Sequence, residues 1–376
     1  MNLIAYFEDR QAALLESIRE LVEIESPTLD AERTTALAEV LAPRFAAAGA
    51  RATLHPGENG AQLLAELPAA TGDAARPQLW LGHLDTVWPV GTLSRMPFRI
   101  EEGRAHGPGI FDMKSSIALM LAALGALGDL GLAARRPLRI LLTCDEESGS
   151  VSSRALLEAT AAECEAVFVF EPSLPGGGAK TQRKGMANYD LVVHGIEAHA
   201  GLEPEKGASA ILELARQIER LHALNDHARG VTVNTGVVRG GSGRNVVAGE
   251  AVAEIDARFW TMEAGAELMR SIEGLQPTIP GTRLELRGGL DRPPLERTPA
   301  VAALYERTRD LAAEVGLPLA EGPAGGGSDG NFTGALGIPT LDGLGVAGAG
   351  AHAVHEHILI DDLPRRAALL VRLLAG

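Results

Sequence analysis
The residues able to do chemistry stand at the ends of short apolar runs. Gln78–Leu81 leads into Gly82-His83-Leu84-Asp85. In extended chain the imidazole and the carboxylate fall on one face, so Asp85 can orient the ring while its other nitrogen binds a metal. Asp112 follows Gly107-Pro108-Gly109 and opens a long apolar segment, a position that suits a helix N-cap or a metal carboxylate equally. Leu138–Thr143 runs into Asp145-Glu146-Glu147. Three successive acids repel one another and are costly without a cation, although a solvated acidic turn reads the same way. Ala166–Phe170 ends in Glu171, and Gly350-Ala351-His352 puts a histidine, with His355 as neighbour, on glycine-rich chain that can approach a crowded site. Each signal is weak alone. Together they set histidines and carboxylates at successive strand ends on one edge of an α/β sheet, where such folds gather ligands. A donor set without thiolate suits zinc, with manganese or cobalt as substitutes. One aspartate bridging two ions would make a hydrolase site that activates water and polarises a carbonyl.

The elements that must position these residues follow from periodicity. Helices are expected at Leu14–Val22, ended by Ser26-Pro27, and at Thr35–Ala48, with Gly49 as C-cap. Strands Gln62–Leu67, Gln78–Leu81, Leu138–Thr143 and Ala166–Phe170 then alternate with helices Met113–Leu130 and Ser152–Glu163. No hairpin turns are expected between them, so the sheet should be mostly parallel with helices on its faces. Near Gly185 the rhythm changes to one-sided strands, Met186–Val193, Val231–Val238, Ala251–Phe259 and Arg283–Arg287, with helices Lys206–His222 and Ala264–Gly274. That β-α-β-β-α-β order predicts a ferredoxin-like α+β module. After Asp291-Arg292-Pro293-Pro294 the α/β character returns with a helix beyond Pro299, strand Pro339–Leu341 and helix Leu363–Leu374. The expected organisation is a catalytic domain in two parts, 1–182 and 294–376, interrupted by a module at 183–293.

Composition narrows the class. With 376 residues, 46% of them hydrophobic, the chain can bury a substantial core. A formal charge of −15 argues against nucleic-acid or anionic-membrane partners. Cys144 and Cys164 are too few for a disulfide framework, and no basic leader opens the sequence, which predicts a cytoplasmic protein. The longest uncharged apolar run, Ser115–Gly128, is shorter than the roughly 18–20 residues that span a bilayer.

In these motifs and their order the sequence resembles the di-zinc metallopeptidase family of glutamate carboxypeptidases of the carboxypeptidase G type, aminoacylases, acetylornithine deacetylase and succinyl-diaminopimelate desuccinylase. The resemblance implies a zinc-peptidase-like catalytic domain, a lid module that also dimerises, and two zinc ions. It implies that His83 and Glu171 bind one zinc, Glu147 and His352 the other, and that Asp112 bridges them. Asp85 would orient His83, and Glu146 would be the general base. His352 is preferred over His355 because Glu356 matches the glutamate that follows the ligand in the family's pattern. In the inserted module, Glu197-Ala198-His199-Ala200-Gly201 resembles a lid motif whose histidine donates to a substrate carbonyl oxygen. Asn245 and Arg258 resemble substrate-binding positions, the loop Gly325-Gly326-Gly327-Ser328-Asp329 a backbone-amide anion site, and Arg292 a carboxylate-binding arginine. Ser115-Ser116 departs from the two glycines found in many members, and Met113 from a second acid found in some.

The implied reaction is release of a C-terminal amino acid, glutamate foremost, from a small peptide or N-acyl substrate. The alternative is an N-acyl-amino-acid deacylase of the acetylornithine or succinyl-diaminopimelate type. Gly343-Leu344-Gly345-Val346-Ala347-Gly348 matches a dinucleotide fingerprint, but the residues after it are not helical and too little chain remains for a βαβ unit.

Overall fold
The computed structural model describes residues 2–69 and 75–376. They form two compact units, one of residues 2–69, 75–182, 297–324 and 328–376, the other of 183–296 with 325–327.

The first unit is built on a six-stranded sheet in the order Arg51–Gly57, Gly60–Leu67, Leu138–Thr143, Gln78–His83, Ala166–Val169, Thr340–Leu341. The last four run parallel, so their carboxyl ends share one edge. Period-two alternation supplies both faces of the sheet. Leu79, Leu81, Leu141, Val167 and Val169 pack with Leu157 and Phe332. Trp80, Ile140, Leu142 and Phe168 join the larger core that holds the helices Ser115–Asp129 and Leu363–Ala375. The result is a three-layer α/β sandwich, as the pattern of strands and helices predicts.

Three details differ from the sequence reading. Arg51–Gly57 and Gly60–Leu67 form a hairpin, although no hairpin is expected there. Arg51–Gly57 is a half-exposed edge strand, so its apolar alternation is faint. A second small sheet, Gly348–Ala349, His357–Leu359, Arg104–His106 and Arg99–Glu101, has strands too short for any periodic signal. Finally, Ile110–Asp129 reaches 20 residues once the turn before the helix is counted, enough by length and composition for a membrane span, but its most apolar 18-residue stretch is 78% buried inside the unit. Burial on all sides explains its uniform apolarity.

The second unit has four antiparallel strands in the order Thr232–Gly240, Glu250–Phe259, Gly185–His194, Arg283–Arg292. Helices Ala210–His222 and Met262–Glu273 pack on one face over Ala187, Tyr189, Leu191, Ile255 and Phe259. This is the ferredoxin-like arrangement. Glu213 is fully buried and accepts hydrogen bonds from Thr278 N, Ile279 N and Gln217 Nε2, closing the 276–282 loop onto its helix.

Candidate metal centre and active site
His83 ends a parallel strand, and Glu146, Glu147 and Glu171 lie just past the carboxyl ends of two others. His83 is buried, and its Nδ1 lies 2.9 Å from the carbonyl oxygen of Asp85. A carbonyl only accepts, so Nδ1 carries the proton and Nε2 is the donor atom left for a metal. That Nε2 lies 3.1 Å from Asp112 Oδ1 and 3.3 Å from Glu171 Oε1.

The acidic run is folded so that neighbours diverge. Glu146–Ser148 makes a tight helical turn closed by Gly149 at φ +100°. Asp85 holds it from below, its two oxygens accepting from Glu146 N and Glu147 N, each at 3.1 Å. The carboxylate expected to orient the imidazole therefore anchors the acid turn, and its backbone carbonyl makes the shorter contact with the ring. Asp145 faces away from the centre, accepting from Asn59 Nδ2, Ser152 N and Ser153 Oγ. Buried Asp329 takes Thr143 Oγ1 and Ser150 Oγ. These two supports were missed from the sequence; the hydroxyl-rich stretch Ser148–Ser153 beside the acids was the available signal.

Glu147 and His352 meet on the other side of Asp112. His352 Nε2 is 3.2 Å from Glu147 Oε2 and 3.4 Å from Asp112 Oδ2. Asp112 thus offers one oxygen to each imidazole. Atoms of His83, Asp112 and Glu147, and of His83, Glu146 and Glu171, group within 4.8 Å. All five expected ligands and Glu146 come together, while His355 is exposed and has no contact with the cluster among the described residues.

The electrostatics favour positive charge here. Burial works against a charged His83, yet Asp112, Asp85 and Glu171 raise it well above its ordinary value. Asp112 and Glu147 push His352 up to about 10. Burial disfavours the Asp112 anion, but His352 and His83 outweigh it and hold the carboxyl below the usual range. Glu147 is raised by burial. Its Oε1 is buried without a hydrogen-bond partner among the described residues, an arrangement that a cation would relieve. The residues fit hard-to-borderline divalent ions with oxygen and imidazole ligands.

The backbone around the centre is glycine-dependent at two points. Gly109 is left-handed at φ +69°, and a Cβ there would meet Thr86 Cγ2 at 2.6 Å. At Gly345 a Cβ would lie 2.4 Å from Phe170 O and 2.6 Å from Glu171 O. The glycine run that mimics a dinucleotide fingerprint thus packs backbone against the segment that leaves strand Ala166–Val169 and carries Glu171, and it continues into strand Gly348–Ala349. Ser115 and Ser116 are fully buried, with hydroxyls unpartnered among the described residues. Lys114 is buried and donates to Ile24 O; burial pulls its ammonium down to about 7.

The substrate-binding candidates belong to the second unit. His199 is exposed, and its Nδ1 accepts from Gly201 N and Leu202 N at 3.1 Å, which leaves the proton on Nε2 as an outward donor. Exposed Asn245 accepts at its carbonyl from Ala200 N, tying the two motifs together. Arg258 is paired with Asp256 at 2.9 Å and donates to Gly325 O. Gly326 is exposed and its carbonyl accepts from Arg183. Arg292 is buried at the end of its strand.

Residues 79–376 match the model of Peptidase family M20/M25/M40. The chain is 28% identical over 374 residues to carboxypeptidase G2 of Pseudomonas sp. (strain RS-16), covering 97% of this chain and 89% of that protein. It is 30% identical over 313 residues to the succinyl-diaminopimelate desuccinylase of Verminephrobacter eiseniae, covering 78% and 77%. Among solved structures, aminopeptidase PepT from Bacillus cereus shares the fold with a TM-score of 0.81 at 24% identity, covering 97% of this chain and 98% of that one. The M20 family metallo-carboxypeptidase Sso-CP2 from Sulfolobus solfataricus does so with 0.75 at 18% identity, covering 96% and 98%.

Proposed function
Because the chain belongs to peptidase family M20/M25/M40, and so to the metal-dependent peptidases and amidohydrolases, we propose that it is a di-zinc enzyme releasing a C-terminal amino acid, glutamate foremost, from a small peptide or N-acyl substrate. The observation that carries the reading is Asp112, with one carboxylate oxygen toward His83 and the other toward His352. His83, Glu171 and Asp112 would hold one ion, and Glu147, His352 and Asp112 the second. Bound there, the ions supply Lewis acidity toward the amide carbonyl and acidify a water.

The chain's own residues do the rest. Glu146 takes a proton from the attacking water and returns it to the leaving amine. Asp85 keeps Glu146 in place through its backbone N–H and fixes the His83 tautomer through its carbonyl. His199 offers its Nε2–H to the carbonyl oxygen as negative charge develops. Arg292 and the Gly326 loop serve the substrate's carboxylate, Arg258 does so while sharing its guanidinium with Asp256, and Asn245 is a further substrate contact. Cytoplasmic residence and homodimerisation through the inserted unit belong to the same reading; a monomer in sedimentation equilibrium would remove the dimer from it.

Similarity to carboxypeptidase G2 over nearly the whole chain supports the carboxypeptidase assignment. Similarity to a desuccinylase favours a second reading, an N-acyl-amino-acid deacylase. Zinc-loaded protein assayed on an N-acyl-glutamate, N-acetylornithine and N-succinyl-diaminopimelate separates them. Faster turnover of either of the last two would overturn the first reading.

A further inference from the structure
Glu356 is a fully buried carboxylate that touches no ligand atom, yet it is surrounded by the machinery that places two of them. Its Oε1 accepts from Phe111 N at 2.8 Å and Asp112 N at 3.1 Å. Its Oε2 accepts from Gly109 N at 3.0 Å and Trp88 Nε1 at 2.7 Å. Three of the four donors are backbone amides of the loop that ends in Asp112. The loop that carries His352 is closed by Ala353 N donating to Gly350 O and by Glu356's own N donating to Ala353 O, both at 2.9 Å. The short sheet sets the two loops side by side. His357 pairs with His106, so the strand leaving Glu356 lies against the strand that feeds Gly107–Asp112.

We propose that Glu356 is a positioning residue that locks the Asp112 loop to the His352 loop and so fixes the separation of two metal ligands; this rests on the metal-dependent reading above. The chemistry requires a carboxylate. Both oxygens receive two donors, and a glutamine would turn an NH2 group toward two N–H groups, losing two hydrogen bonds and adding repulsion. A partner one layer behind the ligands is expected to change metal affinity or activity by about 10–100-fold. Glu213 provides the contrast: it is equally buried and also sealed by backbone amides, but it serves a loop of the inserted unit.

The test is zinc titration of the metal-stripped full chain, with kcat and KM at saturating zinc, for wild type, Glu356→Gln, Trp88→Phe and Glu213→Gln. Glu356→Gln should bind at least one zinc about tenfold more weakly and lose about tenfold in kcat, with KM within about twofold. Trp88→Phe, which deletes one donor of four, should move both in the same direction by about threefold. Glu213→Gln should lower the melting temperature and leave zinc affinity and kcat unchanged. Wild-type affinity and kcat in a folded Glu356→Gln would overturn the proposal; if that variant does not fold, wild-type values in Trp88→Phe would overturn it. A wild type that takes up no zinc would sink the metal reading itself, and the proposal with it.

Discussion

The strand-end half of the candidate centre and its loop half hold the same aspartate under opposite conditions. The His83 side chain is 1% exposed, stands at the end of a central parallel strand and has its ring fixed by the Asp85 carbonyl. The His352 side chain is 51% exposed, sits on left-handed backbone at φ +62°, and its Nδ1 has no partner among the described residues. Their carboxylate partners differ in the same way: Glu171 stands two residues past the end of a buried strand, and Glu147 sits in a turn pinned by Asp85. The first half is pre-organised by the sheet. The second must be ordered by loops, and ordering side chains costs conformational entropy at the moment of binding. A bridging Asp112 would therefore join a tight subsite to a more exchangeable one.

The largest expected effect tests chemistry without touching either half. Glu146→Ala should keep both zinc ions and lose about 10³-fold in kcat; near-normal turnover would remove Glu146 from the base role. Next come the two histidines. His83→Ala leaves Asp112, Asp85 and Glu171 packed together without their imidazole, and should destabilise the metal-free protein by about 3 kcal/mol. His352→Ala, at a half-exposed position, should cost less than about 1 kcal/mol. Equal losses in denaturant titration would erase the distinction between the halves.

Much of the strand-end half is legible in the sequence, because apolar runs such as Gln78–Leu81 and Leu138–Thr143 stop abruptly at His83 and at the acids. A buried strand that ends in charge announces a sheet edge with work to do. The loop half is less legible. The strands that frame it are two or three residues long, too short for a period, and the contacts of Glu356 and Asp145 are to backbone amides, a hydroxyl, the Trp88 indole and the Asn59 amide, which no spacing rule picks out. The Arg51–Gly57 strand was missed for a related reason: its solvent-facing alternation and Pro56 mark an edge with little apolar content, although Glu58-Asn59-Gly60 carried a turn signal.

Smaller effects sharpen the contrast between carboxylates with and without metal duty. Burial disfavours the Glu213 anion, but Gln217, Thr278 and Ile279 outweigh it and keep its carboxyl below the usual range. Its contribution is thus complete above the unfolded value near 4.5 and fades as pH falls through the lower folded value. Glu213→Gln should cost about 1–2 kcal/mol at pH 7, and the difference from wild type should shrink on acidification; a pH-independent difference would contradict the sign. Smallest is the response of the thiols. Burial pushes Cys164 up to about 11 and also raises Cys144, so alkylation of the native protein at pH 8 should be slow at both and rapid only after unfolding. Fast labelling of either would show that its strand-helix layer opens readily.

The most direct test of the central claim is zinc stoichiometry, measured by metal analysis after equilibrium dialysis of the wild type and His352→Ala. Two equivalents in the wild type and one in the variant are the predicted result. One equivalent or none in the wild type, or two retained in His352→Ala, would contradict a centre built from two unequal halves around Asp112.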